Sequence, residues 1–232
     1  MIRAILFDAG NTLIRMDYAA IAAELERHGA RVTPAALQRA EWSARVRLDT
    51  VLFAPESVFS TESRDTAERY TQYVLECAGI TDPALITAMI DWRRRYNPPI
   101  GLWTVAEPEA AAALALVRDA GRVAGVVSNS NGTIRQILER LDLARWLDFV
   151  LDSREEGLEK PDPRLFQRAL ARAGARAEEA AYIGDLYSVD VVGARRAGLR
   201  PVLMDPGGCW GARDCPAAPT VLDAVRLLLE DS

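Results

Sequence analysis

Ala4-Ile5-Leu6-Phe7-Asp8-Ala9-Gly10-Asn11-Thr12-Leu13 is the stretch on which the fold turns. Four apolar residues are too few for a helix, and the run breaks at once into an acid, a glycine and an asparagine. A buried strand of a parallel sheet reads this way, ending in a loop at its carboxyl end. Four further runs share the form: Val123 to Val127, Phe149 to Leu151, Ala180 to Ile183 and Pro201 to Leu203. The segments between them carry helix punctuation. Pro108 to Ala120 opens at Glu107-Pro108 and stops before Gly121, and Pro163 to Ala173 opens at Asp162-Pro163 and stops before Gly174. Strand and helix in alternation predict an α/β protein, a parallel sheet with helices on both faces.

The stretch from Asp17 to Asn97 breaks this rhythm, because it holds helical periodicity and no strand. Gly29, Thr33-Pro34, Gly79 and Asp82-Pro83 mark its helix ends, and Pro98-Pro99 closes it. It is expected to be an all-helical insert after the first strand, with the Pro-Pro pair as the return hinge. Residues 1–16 and 98–232 would then form the core and residues 17–97 the insert. Trp42, Phe53, Phe59, Tyr70, Tyr73 and Trp92 are expected to build mostly the insert's own core, with one or two facing a ligand.

Composition removes several function classes. Of 28 basic residues only Lys160 is lysine, and His28 is the single histidine. Three cysteines, Cys77, Cys209 and Cys215, show no metal-binding spacing, so a His/Cys zinc cluster is excluded, and a His-based hydrolase would rest on His28 alone. A net charge of −5, with no basic block beyond Arg93-Arg94-Arg95, argues against a reader of nucleic-acid backbone. No apolar run reaches the roughly 18 to 20 residues of a membrane span. The opening Met1-Ile2-Arg3 runs into Asp8 too soon for a secretory leader, and the odd cysteine count suits a reducing cytoplasm.

Ligands of open parallel sheets bind beyond the carboxyl ends of the strands. Asp8 follows the first strand, Ser128-Asn129 the second and Asp185 the fourth, while Lys160 stands just before a helix. A carboxylate at a strand tip can attack phosphorus or carbon to give an acyl intermediate that water cleaves. A dianionic phosphoryl group would need neutralising charge. Magnesium held by Asp8 and Asp185 would suit, since it takes one or two carboxylates plus substrate oxygens. Ser128 and the amide of Asn129 could donate to phosphoryl oxygens, and Lys160 supplies a compact positive charge. These are the parts of an in-line phosphoryl-transfer site.

The four segments Asp8 to Leu13, Ser128 to Gly132, Gly157 to Pro163 and Gly184 to Asp190, in this order and with a helical insert after the first, resemble the haloacid dehalogenase superfamily in its helical-cap subgroup. The likeness spans Ile2 to about Pro206. It implies a Rossmann-like core, a mobile cap, and Mg²⁺ held by Asp8, the carbonyl of Gly10 and Asp185. It further implies that Asp8 is the nucleophile, that Thr12, Ser128 and Asn129 bind the transferring group, that Lys160 steadies the charge, and that Asp190 supports the metal ligands from behind. A small phosphorylated metabolite is the implied partner.

One departure bears on activity. The superfamily's phosphatases carry Asp-x-Asp-x-Thr, whose second aspartate protonates the leaving oxygen, and here Gly10 stands in its place. Such help typically gives roughly 10²- to 10⁴-fold in rate, so alkyl phosphates should be slow and acyl or aryl phosphates less affected. Metal-independent 2-haloacid dehalogenation and an inert binding protein stay open beside phosphatase action. Gly184-Asp185 with Asp190 resembles the metal-binding form, and the absence of lysine between residues 17 and 97 closes the Schiff-base route of the superfamily's phosphonatases.

Other residues read as structure. Asn11, Ser130 and Asn131 are turn formers, His28 ends a helix before Gly29, and Arg93-Arg94-Arg95 is a solvated face. Gly207-Gly208-Cys209-Trp210-Gly211 reads as a flexible surface loop. Arg15 meets either solvent or an anionic substrate.

Overall fold

The computed structural model describes residues 1–53 and 60–230. In chain order the first elements are β1 (Ala4–Phe7), β2 (Ile14–Arg15), α1 (Tyr18–Arg27), α2 (Pro34–Leu52), α3 (Arg64–Cys77), α4 (Pro83–Arg95) and β3 (Val105–Ala106). Then follow α5 (Ala110–Asp119), β4 (Val123–Ser128), α6 (Ile134–Arg140), β5 (Phe149–Asp152), α7 (Ser153–Glu156), α8 (Pro163–Ala173) and β6 (Ala180–Gly184). A wide helical turn, Tyr187–Val191, leads into α9 (Val192–Arg196), and β7 (Arg200–Met204), β8 (Ala217–Ala218) and α10 (Val221–Glu230) end the chain.

Six strands pair in parallel in the order β5-β4-β1-β6-β7-β8, which makes a Rossmann-like core. β1 lies at the centre, with Ala4 opposite both Val123 and Ala180. All four of its side chains are buried, so nothing polar interrupts the apolar run that marks it in the sequence. Ile5 and Phe7 point to one face, with Ala113, Leu114 and Val117 of α5 and Val225 and Leu228 of α10. Ala4 and Leu6 point to the other, with Leu165, Phe166 and Ala169 of α8.

Local signals set the helix ends. Asp17, Thr33, Asp82 and Asp162 each accept a hydrogen bond from an amide of the first turn, and Pro34, Pro83 and Pro163 open α2, α4 and α8. Gly174 ends α8 at φ 59°. The helix expected from Pro108 begins at Ala110 instead.

Helices α1 to α4 pack around a separate apolar cluster that includes Leu25, Leu37, Leu48, Tyr73 and Met89. The chain leaves and re-enters the sheet side by side: β2 and β3 pair antiparallel, and the Asp17 amide donates to the Leu102 carbonyl at 2.8 Å. These two-residue strands, like β8, are too short to show in sequence periodicity.

Two expectations change. Trp210 is only 4% exposed, packed on Val191 and Leu203, and the amides of Cys209 and Trp210 both donate to Asp205, so the glycine-rich loop is anchored rather than flexible. Trp42 is partly buried and lies against Gly207 of that loop, where a Cβ would come within 2.7 Å of the indole, so it serves the contact with the sheet layer. Phe59 lies outside the described residues. Among the described residues no helix is long and apolar enough to cross a membrane.

Candidate active site

Parallel strands bring their carboxyl ends to one edge, and the candidate residues gather there. Asp8 follows β1, Ser128 ends β4, Asp185 follows β6, and Lys160 lies in the loop before α8. Lys160 is 4% exposed and all three of its ammonium protons are used. Nζ donates to Asp8 Oδ1 at 2.7 Å, to Asp190 Oδ1 at 2.8 Å and to the Tyr182 hydroxyl at 2.8 Å. The Tyr182 hydroxyl in turn donates to the Val127 carbonyl at 2.9 Å, which ties the ammonium to the sheet.

Asp190 Oδ2 accepts from the amides of Asp185 (3.0 Å) and Leu186 (2.9 Å), and so holds the turn that carries Asp185. Asn129 clamps the Lys160 peptide: its Oδ1 accepts from the Lys160 amide at 2.8 Å and its Nδ2 donates to the Lys160 carbonyl at 3.0 Å. The Asn129 side chain is thereby committed to positioning. Thr12 is fully buried, is not part of the cavity wall, and leaves Oγ1 without a hydrogen-bond partner among the described residues.

Asp8, Gly10, Ser128, Asn129, Lys160 and Asp185 all line one cavity of about 290 Å³. Its opposite wall comes from the helical segment, through residues such as Arg45, Tyr70 and Arg93.

Burial pushes the Asp8 carboxyl up to about 6, against the pull of Lys160 and with a further push from Asp190. Burial also raises Asp185 well above the usual carboxylate range, opposed by Arg45 and reinforced by Asp8 and Asp190. Lys160 is pulled down by burial but raised overall by Asp190 and Asp8, so it stays charged. The acids are therefore short of positive charge.

Asp8, Asp185 and Asp190 each place a carboxylate oxygen within 4.8 Å of the others. Both oxygens of Asp190 are already engaged, whereas Asp185 Oδ1 accepts no hydrogen bond among the described residues. A hard divalent cation taking Asp8 and Asp185 as ligands fits this donor set and its charge deficit.

A family model for haloacid dehalogenase-like hydrolases matches residues 2–198. The chain belongs to that family. This haloacid dehalogenase-like hydrolase is 39% identical over 133 residues to the phosphoserine phosphatase of Thermus thermophilus, a match covering 57% of this chain and 51% of that one. Over 213 residues it is 28% identical to the glyceraldehyde 3-phosphate phosphatase of Methanopyrus kandleri, covering 89% and 85%. The solved structure of a 2-haloacid dehalogenase from Pseudomonas syringae superposes on it with a TM-score of 0.59 at 25% identity, covering 100% of both chains. The chain spans about half the length of several curated relatives it matches.

Several residues of the hydrolase's candidate site were read from sequence as turn formers or were not singled out at all. Arg45 of α2 is 3% exposed, pairs with Glu41, and places NH1 3.3 Å from Asp185 Oδ2. Glu41 and Arg45 are four apart, and that spacing reads the same on a solvated helix face as on a buried one. Asn11 has φ 50°, as a turn former should, but its Nδ2 also donates to Asp185 Oδ2 (3.0 Å) and to the Tyr70 hydroxyl (3.2 Å). Ser130 and Asn131 likewise line the cavity.

Arg93 departs from the solvated face expected of Arg93-Arg94-Arg95, because it turns into the cavity while Arg94 pairs outside with Glu68 and Asp91. Arg15 lies 3.6 Å from Glu107 and off the cavity wall. His28 ends α1 as expected, 3.4 Å from Glu24.

Proposed function

We propose that this hydrolase is a magnesium-dependent phosphohydrolase of a small phosphorylated metabolite, working in the cytoplasm through an aspartyl-phosphate on Asp8. The observation that carries the reading is the fully buried ammonium of Lys160, pinned between Asp8 and Asp190 at the floor of a cavity that also holds Asp185. Relatives named as phosphatases favour phosphoryl transfer over carbon–halogen cleavage. Three unpaired cysteines suit a reducing compartment.

In the first step a carboxylate oxygen of Asp8 attacks phosphorus, the bond from phosphorus to the ester oxygen breaks, and the electron pair leaves with that oxygen. In the second, water attacks the same phosphorus, the acyl phosphate P–O bond breaks, and inorganic phosphate and the free carboxylate are released. Lys160 holds Asp8 in place and opposes the charge that gathers on the phosphoryl oxygens. Ser128 Oγ and the Asn129 amide are the donors to those oxygens. A magnesium ion held by Asp8, the Gly10 carbonyl and Asp185 would supply the remaining neutralising charge. Asp190 keeps Lys160 and the Asp185 turn in register.

Residues 17–97 act as a cap over a core of residues 1–16 and 98–232. In support, Arg45 and Tyr70 of the helical segment reach Asp185 and Asn11, and the β2/β3 ribbon pairs the chain just before it leaves the core with the chain just after it returns. No carboxylate stands at residue 10 to protonate the leaving oxygen, so acyl and aryl phosphates should turn over faster than alkyl phosphates.

Phosphate release from acetyl phosphate, p-nitrophenyl phosphate and glycerol 3-phosphate, with Mg²⁺ and with EDTA, tests the reading. Turnover that needs Mg²⁺ and disappears in Asp8→Asn is expected. Absence of Asp8-dependent release from all three would overturn it.

A further inference from the structure

Arg93 is a guanidinium that the fold fixes in place and, among the described residues, leaves without an ion-pair partner. Its NH1 donates to the Ala67 carbonyl and to Thr71 Oγ1, both on α3 and both at 2.5 Å. Its Nε and NH2 donate to nothing among the described residues, and no carboxylate there lies within ion-pair distance of it.

Its neighbours show how the chain treats arginine elsewhere. Arg94 is paired with Glu68 and Asp91, and Arg45, which shares the cavity with Arg93, is paired with Glu41 and Asp185. Glu62 also lines the cavity but makes no ion-pair contact with Arg93. A half-buried guanidinium that draws only on the more distant attraction of Glu62 is stabilised further when an anion binds it directly. The edge left open, Nε and NH2 together, is the side of the fork that grips a carboxylate or phosphate with two parallel hydrogen bonds.

The cavity has its reacting groups on the sheet side, from Asp8, Lys160 and Asp185, and Arg93 on the helical side. At about 290 Å³ it sits at the small end for ligand sites, with room for a phosphoryl group and a short carbon chain. From this we propose that Arg93 binds a second anionic group of the substrate, so that the preferred substrates are short phosphomonoesters bearing a carboxylate or a second phosphate. The proposal rests on the phosphohydrolase reading and adds to it the charge at the far end of the substrate.

The test compares three probes with similar three-carbon chains: glycerol 3-phosphate with no second anion, 3-phosphoglycerate with a carboxylate, and 1,3-propanediol bisphosphate with a second phosphate. For the wild-type protein with Mg²⁺, at least one of the two probes with a second anionic group should exceed glycerol 3-phosphate by tenfold or more in kcat/KM, mainly through KM. Whichever probe wins names the source of the anion. Arg93→Met should collapse that ratio by tenfold or more, and Thr71→Val, which removes one anchor of NH1, should lower it by a smaller factor.

Glycerol 3-phosphate turned over as well as both probes with a second anionic group by the wild type would overturn the proposal without any variant. So would a preference that survives intact in folded Arg93→Met. Calorimetric binding of the same probes to Asp8→Asn separates the two readings. Tight, Arg93-dependent binding without wild-type turnover of any phosphate upholds the anion site and sinks the phosphohydrolase.

Discussion

Trp103 lies across Gly10: a Cβ added to residue 10 would meet the indole Cζ3 at 3.4 Å and Cη2 at 3.5 Å. One carbon at those distances is ordinary contact, and a side chain extended beyond it would lie next to the indole. Under the phosphohydrolase reading, an acid introduced at residue 10 would therefore compete with Trp103 for room. Gly10→Asp alone should raise glycerol 3-phosphate turnover by less than about threefold. Combined with Trp103→Ala it should rise by tenfold or more, within the range that positioned acids supply. Steady-state kinetics on the single and double variants check this, and a full gain from Gly10→Asp alone would show that Trp103 is no obstacle.

Lys160 satisfies two buried acids at once, so its removal should cost stability, and activity too under the phosphohydrolase reading. Lys160→Met leaves Asp8 and Asp190 buried without their cation and should destabilise the fold by about 3 to 5 kcal/mol. The net upward shift of Lys160, with Asp190 and Asp8 outweighing burial, fixes the sign. Its contribution is present throughout the range below the ordinary lysine value and fades as pH rises past it. Urea midpoints for the two proteins at pH 7 and pH 9 should therefore differ by the same large gap. Equal stability at pH 7 would contradict the geometry.

Protons and magnesium should compete for Asp8. Burial, the main cause, sets its carboxyl at about 6 in the metal-free protein, so at pH 7 it is largely ionised and at pH 5 largely protonated. Apparent Mg²⁺ affinity should weaken about tenfold or more between pH 7 and pH 5, because each proton bound must leave before the ion enters. Asp185, raised in the same direction, adds to the slope. Mg²⁺ titrations followed by thermal shift read this directly. A flat profile over that interval would mean that the ion uses other ligands.

The sheet and the acids at its edge were legible because their chemistry is local. A buried parallel strand writes a continuous apolar run, and Ala4–Phe7 ends at Asp8 as Ala180–Gly184 ends at Asp185. Helix α8 announced both ends, through Asp162-Pro163 and Gly174. Residues whose role depends on tertiary closure were not legible. Trp103 reads as one aromatic in a linker until the chain returns it to Gly10, and Tyr182 reads as strand core until its hydroxyl is seen under Lys160. Arg93 is one of three consecutive arginines, and only the packing of α4 on α3 decides which of them turns inward.

The contact between Asp49 and Ser188 joins helix α2 to the turn behind Asp185, and it carries a pH signature. Asp49 is 2% exposed and accepts from the Ser188 amide at 2.9 Å and the Ser188 hydroxyl at 2.8 Å. Burial outweighs those bonds and lifts its carboxyl to about 6. A folded value above the unfolded one means that the native state holds the proton more tightly. The associated stability is full below about 4 and is lost as pH rises through 6, an effect of about 3 kcal/mol. Asp49→Asn keeps an acceptor and removes the charge, so its stability relative to wild type should climb between pH 4 and pH 7 and level off above. Asp49→Ala, which abandons both Ser188 donors, should be destabilised at every pH. Chemical denaturation from pH 4 to pH 8 distinguishes the two, and parallel curves for wild type and Asp49→Asn would show that this carboxylate does not titrate in the fold.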